Sequence, residues 1–153
     1  MLVTMFTDAS ICHMTKVSGW GMCAISDRGK TQASGTMHNP MPDSGCAELA
    51  AIANAIFTCL NSGFLLPTDH VLIQTDSIYA LNTLEGIPLN YYRRRPLDCE
   101  IAERIHDLVK SNTISMSVRH VQGHMEHLGG KHYSNGIADR LARQGMKLGR
   151  ICS

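Results

Sequence analysis

Four acidic residues stand where acids are costly. Asp8 closes the apolar run LVTMFT, Glu48 falls within CAELAAI, Asp76 follows VLIQT, and Asp139 lies in NGIADRLAR. A lone carboxylate among apolar neighbours is neutralised rather than left charged, because desolvation penalises the ionised form. If the four converge, they form an oxygen-only cage that cannot stay fully ionised without a cation. Hard divalent ions suit such ligands, Mg²⁺ or Mn²⁺, with water and a substrate phosphate completing the octahedron. That donor set belongs to phosphoryl-transfer chemistry. Taken singly, each residue has a plainer role, since an acid in a first helical turn complements the helix dipole and an aspartate at a strand end forms turns. The four together, in this order, are the informative feature.

Such convergence needs elements that end at one place. Residues 2–7 are apolar on both parities, as expected of a strand covered on both faces, and Asp8 would end it. Residues 19–26 and 30–37 are separated by DRG, a hairpin signal, so three consecutive antiparallel strands are expected. Leu49, Ile52, Ala53, Ile56, Phe57 and Leu60 recur at helical spacing, which predicts a helix over 46–60 with Ser44 as N-cap and Glu48 in its first turn. A strand over 71–75 ends at Asp76, where open α/β sheets build their sites, and a short helix follows over 77–84. Residues 98–110 predict a helix capped by Asp98, and residues 114–121 alternate as a one-sided strand. A Gly- and His-rich loop then leads to a last helix over 136–148, capped by Asn135 and opened by Asp139.

Composition bounds the rest. The chain has 153 residues, 44% of them hydrophobic, which suits one domain with a real core over residues 1–153. A net charge of +1 means that any nucleic-acid contact must come from local basic clusters. Six cysteines at irregular separations, with no C-x-x-C pair, suggest reduced thiols in a cytoplasmic setting. No basic leader and no apolar run of about 18 residues is present, so a soluble, untargeted protein without membrane contact is expected.

The stretches FTDAS, CAELAAI, IQTDSIYAL, VQGH and NGIADRLAR, in this order and at these separations, resemble the type 1 ribonuclease H family almost from end to end. The resemblance implies an α/β fold with a mixed five-stranded sheet, three antiparallel strands plus two parallel ones, and helices on both faces. It implies endonucleolytic cleavage of the RNA strand of RNA·DNA hybrids, leaving 5′-phosphate and 3′-hydroxyl ends. Asp8, Glu48, Asp76 and Asp139 match the family's metal-binding carboxylates. Hydrolysis of a phosphodiester needs an activated water and a leaving oxygen relieved of charge, and two divalent ions about 4 Å apart supply both. By resemblance Asp8 would touch both ions, Asp139 would complete the nucleophile side, and Glu48 and Asp76 the leaving-group side. Two Mg²⁺ ions, replaceable by Mn²⁺, are the expected cofactors. His124 in VQGH matches a histidine that assists proton movement or product release, work that its ordinary pKa suits. His127 and His132 compete for that role.

Substrate contacts are expected from the backbone around Ala9, Ser10, Ser44 and Gly45, where a 2′-hydroxyl would be sensed. Arg93, Arg94 and Arg95 in YYRRRP occupy the place of the family's basic handle, and would meet phosphates of the DNA strand. The chain departs from the family with Ser44, Gly45 and Cys46 near the second carboxylate, Ile78 after TDS and Met14 in the first loop, positions where amides are frequent. Its partner is expected to be the RNA·DNA hybrid, with no obligatory protein partner and a monomeric state. Three other readings stand beside this one. A junction resolvase or exonuclease of the same superfamily would also carry an acidic quartet, and a silent nucleic-acid-binding scaffold would have no use for one. A zinc site from His120, His124, His127 and His132 lacks cysteine partners at finger spacing.

Overall fold

Strand β1 (Leu2–Ile11) is the spine of the fold, and pairs on both sides. Residues 1–87, 95–123 and 130–152 are described in the computed structural model. Antiparallel to β1 runs β2 (Ser18–Ser26), followed by β3 (Gly29–Thr36), and the hairpin between them turns at Gly29, whose φ of 118° suits glycine. On the other side, β4 (His70–Thr75) and β5 (Ser115–His120) run parallel to it, giving the order β3-β2-β1-β4-β5. This is the mixed five-stranded sheet that the sequence leads one to expect.

Alternation along β1 sorts the two faces. Val3 and Met5, with Met22 and Ala24 of β2, join Leu49, Ile52 and Ile56 of helix α1 (Ser44–Ser62) in the main core, against which α3 (Pro96–Ser111) also packs. The opposite face receives α4 (Lys131–Cys152), a helix much longer than the 136–148 span predicted. Ser134, Asn135 and Gly136 have low helix propensity, yet α4 continues through them because packing against the sheet outweighs local preference. Asn135 is accordingly buried inside the helix rather than capping it, and Asp139 lies in the third turn rather than the first.

Three further boundaries differ from expectation. Helix α1 is capped by Asp43, whose carboxylate accepts from the Cys46 N–H at 3.0 Å, so Ser44 is the first helical residue and Glu48 belongs to the second turn. Helix α3 starts at Pro96, which suits a first-turn position because it lacks an N–H, so Asp98 lies within the helix. Strand β1 runs past Asp8 to Ile11, although its pairing with β4 stops at Phe6 opposite Gln74. Asp8 thus sits inside the strand where the parallel neighbour has ended. Among the described residues no helix is long and apolar enough to cross a membrane, and Cys12, Cys23, Cys46, Cys59 and Cys99 are free thiols.

Candidate metal centre and nucleic-acid interface

The end of β4 opens a gap beside β1, and three elements place acids in it. Asp8 is paired across the sheet with Gly21, Glu48 projects from α1, and Asp76 follows the last residue of β4. One oxygen from each of Asp8, Glu48 and Asp76 lies within 4.8 Å of the others. Asp8 and Glu48 are buried, at 4% and 8% exposure. The Ala9 N–H serves both, donating to Asp8 Oδ1 at 2.9 Å and to Glu48 Oε1 at 3.2 Å.

A single shared amide does not offset that much charge. Burial, then the carboxylates of Asp76 and Asp139, pushes the Asp8 pKa up to about 8 despite its bonds to Glu48 and Ala9. Burial and the Asp8 carboxylate likewise raise Glu48 well above the ordinary range. Glu48 Oε2 is buried with no hydrogen-bond partner among the described residues. An oxygen-only trio, two members of which resist ionisation and one of which keeps an orphaned acceptor, fits a hard divalent cation.

The fourth acid enters from α4 by an unusually close backbone approach. A Cβ on Gly21 would stand 2.3 Å from the Ala138 carbonyl oxygen, and one on Gly19 2.1 Å from the Met146 nitrogen. Only glycine at these positions lets the helix reach the sheet, which sets Asp139 close enough to Asp8 to raise its pKa. In this structure Asp139 Oδ2 accepts from Arg143 one turn later, and Asp139 is not part of the tight trio. Gly123 does comparable work for Asp76, since a Cβ there would stand 2.8 Å from Asp76 Oδ2. Arg143 and Gly123 were not singled out from the sequence as site residues. The readable signal for the first was a cation four residues after Asp139; for the second it was the glycine of VQGH.

The expected substrate contacts are brought together only in part. Ser10 and Gly45 are half-buried and Ser44 is exposed, while the Ala9 N–H is engaged by the two carboxylates. Gly45 lies flat against the Tyr79 ring, where a Cβ would stand 2.7 Å from the ring edge. The Tyr79 hydroxyl in turn donates to the buried Asp98, linking α1, α2 (Ile78–Leu84) and α3 behind the site. Arg95 pairs with Asp43, the cap of α1, rather than pointing freely to solvent. Met14 and Ile78 are exposed. His124, His127, Arg93 and Arg94 lie outside the described residues.

Solved structures share this architecture. RNase H1 from the halophilic archaeon Halobacterium salinarum superposes with a TM-score of 0.73 at 18% identity, over 96% of this chain and 98% of the other. LC11-RNase H1, solved in complex with an RNA/DNA hybrid, gives a TM-score of 0.73 at 15% identity over 99% of both chains. The N-terminal RNase H domain of a Mycobacterium tuberculosis protein gives a TM-score of 0.73 at 14% identity, over 99% of this chain and 97% of that one. Identities this low carry the fold alone, and no curated protein matches the sequence. The sequence pattern of the RNase H family, however, runs through residues 2–147 and so through all four acids, and on that ground this chain belongs to the RNase H family.

Proposed function

We propose that the chain is an endonuclease that hydrolyses the RNA strand of RNA·DNA hybrids, leaving 5′-phosphate and 3′-hydroxyl ends. The observation that carries this reading is the convergence of Asp8, Glu48 and Asp76 with an orphaned Glu48 oxygen. Membership of the RNase H family supports it, as does the hybrid-bound state of the similar LC11-RNase H1.

Asp8, Glu48 and Asp76 would hold divalent metal, with Asp139 adjacent to complete the donor set. A bound pair of Mg²⁺ or Mn²⁺ ions supplies an activated water and charge relief at the leaving oxygen. The residues themselves do three things. Burial of Asp8 and Glu48 keeps water off their inner oxygens and makes their ionisation depend on a cation. The Ala9 amide orients both carboxylates. The polar groups of Ser10 and Ser44 and the backbone at Gly45 would tell a ribose 2′-hydroxyl from hydrogen. His124 is the proposed proton carrier, and Arg93 to Arg95 the proposed contacts to the DNA strand. The protein is proposed to act as a cytoplasmic monomer.

Incubation of the purified protein with labelled RNA·DNA hybrid, duplex DNA and a four-way junction, with and without Mg²⁺, tests the reading. Metal-dependent cleavage of the RNA strand alone is expected. Preference for a junction, or no cleavage of any substrate, would sink it. Within this scheme His124→Ala slows the reaction by about 10²- to 10⁴-fold without abolishing it, and His127→Ala does not.

A further inference from the structure

Helix α4 carries a second chemical pattern beyond Asp139. Arg140, Arg143, Lys147 and Arg150 succeed one another at helical spacing, and all four are exposed. With Asp139 they fall within an arc of about 100° on one side of the helix, at roughly 100° per residue. The other side carries Ala138, Ala142, Gly145 and Gly149, the residues pressed against β2 and β3 or their loops. Asp139 is the only acid in the helix, and it is already paired with Arg143. Among the described residues Arg140 and Lys147 have no ion-pair partner. The stripe borders a shallow depression of ≈ 360 Å³, also lined by Gln144, Leu148 and Ile151. In a chain whose net charge is +1, this is a strong local concentration of positive charge.

We propose that this face of α4 is a binding track for a nucleic-acid strand, on which the backbone of the hybrid continues beyond the scissile phosphate. The inference rests on the proposed ribonuclease H function for the identity of the polyanion. Two features select this occupant. The stripe is continuous with the carboxylate cluster through Asp139 and Arg143, so a strand seated at the metal centre meets it next. Its length also fits: from Asp139 to Arg150 the helix rises about 16 Å, the axial span of about five phosphates along one strand. Guanidinium groups match phosphate oxygens with paired hydrogen bonds, and three of the four cations are arginines. An anionic bilayer is the competing occupant, with Leu148 and Ile151 inserted, but two apolar side chains give little insertion area.

The test uses the full chain made inactive by Asp76→Asn, so that binding is read without cleavage. Fluorescence anisotropy across a salt series compares this protein with one that also carries Arg140→Gln, Lys147→Gln and Arg150→Gln. Two hybrids are used, one just spanning the carboxylates and one longer by about five base pairs or more at each end. On the long hybrid the triple variant should bind about 10-fold or more weakly, with the slope of log K against log salt reduced by about 2 to 3. On the short hybrid the two proteins should bind alike. A charge-keeping variant, with arginine and lysine exchanged at the same three positions, should restore the slope. Equal slopes for the triple variant and its parent would overturn the track. So would a loss that the charge-keeping variant does not rescue, or one confined to anionic vesicles. If the wild-type protein fails to cut hybrids yet the triple variant loses its salt slope on long nucleic acid, the track stands and the proposed function falls.

Discussion

The Cα of Gly123 lies against the carboxylate of Asp76, so close that a methyl group there would stand 2.8 Å from Oδ2. Two segments far apart in sequence, the end of β4 and the loop after β5, thereby share Asp76 Oδ2 as their boundary. Gly123→Ala should push Asp76 out of the trio without disturbing the core. Cleavage should fall about 10- to 100-fold, the usual cost of misplacing a reacting group by about 1 Å. Calorimetric titration with Mn²⁺ should show weaker binding. Wild-type metal affinity in this variant would mean that Asp76 accommodates the methyl at no cost.

Asp8 makes the metal-free protein sensitive to pH. Its folded pKa is raised to about 8 by burial first and by neighbouring carboxylates next. The folded state therefore holds the proton more tightly than the unfolded chain, so the stability it contributes is complete below about pH 4 and is lost as pH rises through about 8. In the presence of a chelator the melting temperature should fall from about pH 5 to about pH 8, and Mg²⁺ should offset the fall. Asp8→Asn should abolish cleavage and flatten that pH dependence, melting higher than the wild type at alkaline pH. A melting temperature that rises over the same range in the chelated wild type would contradict the cluster's electrostatics.

Behind the site, Tyr79 is the donor to an Asp98 that is 1% exposed and whose other oxygen has no hydrogen-bond partner among the described residues. Tyr79→Phe keeps the ring against Gly45 and removes only the hydroxyl. It should cost about 1 to 3 kcal/mol in urea unfolding, because a buried acceptor loses its partner. Tyr79→Ala should cost more, and should also reduce cleavage by releasing the start of α1. If the Phe variant is as stable as the wild type, Asp98 does not depend on this bond.

At the far end of the sheet, Arg28 grips Asp69 with bonds of 2.5 and 3.1 Å, and the Leu66 N–H donates to the same carboxylate. The Arg28 bond, with the Leu66 amide, holds the Asp69 pKa down at about 2. Its stabilisation is present above the ordinary carboxylate pKa of about 4 and is lost as pH falls through about 2. Arg28→Ala should destabilise the protein at neutral pH, with no effect on the cleavage rate of the folded protein. Chemical denaturation at neutral and strongly acidic pH checks this, and a deficit that persists at about pH 2 would assign the loss to packing instead.

Much of the site was legible because it is local. Asp8 and Asp76 border runs of strand-forming residues, Glu48 follows a cap and precedes apolar residues at helical spacing, and each signal needs only a few neighbours. Alternation was enough to place Met116 and Val118 inward on β5, with the buried Ile114 just ahead of the strand, and Ser115, Ser117 and Arg119 outward. What the sequence by itself determined was therefore the kinds of element and the acids attached to them. The tertiary structure decided where α4 begins and which residues press close. Ser134 reads as loop, Asn135 as a cap and Gly136 as a helix start until the sheet is there to cover them, since burial against β2 and β3 supplies what propensity withholds. Gly19, Gly21 and Gly123 carry no pattern of their own either. A glycine's meaning lies in the atom that stands where its side chain would be, and here those atoms belong to α4 and to Asp76, brought near only when the chain has folded.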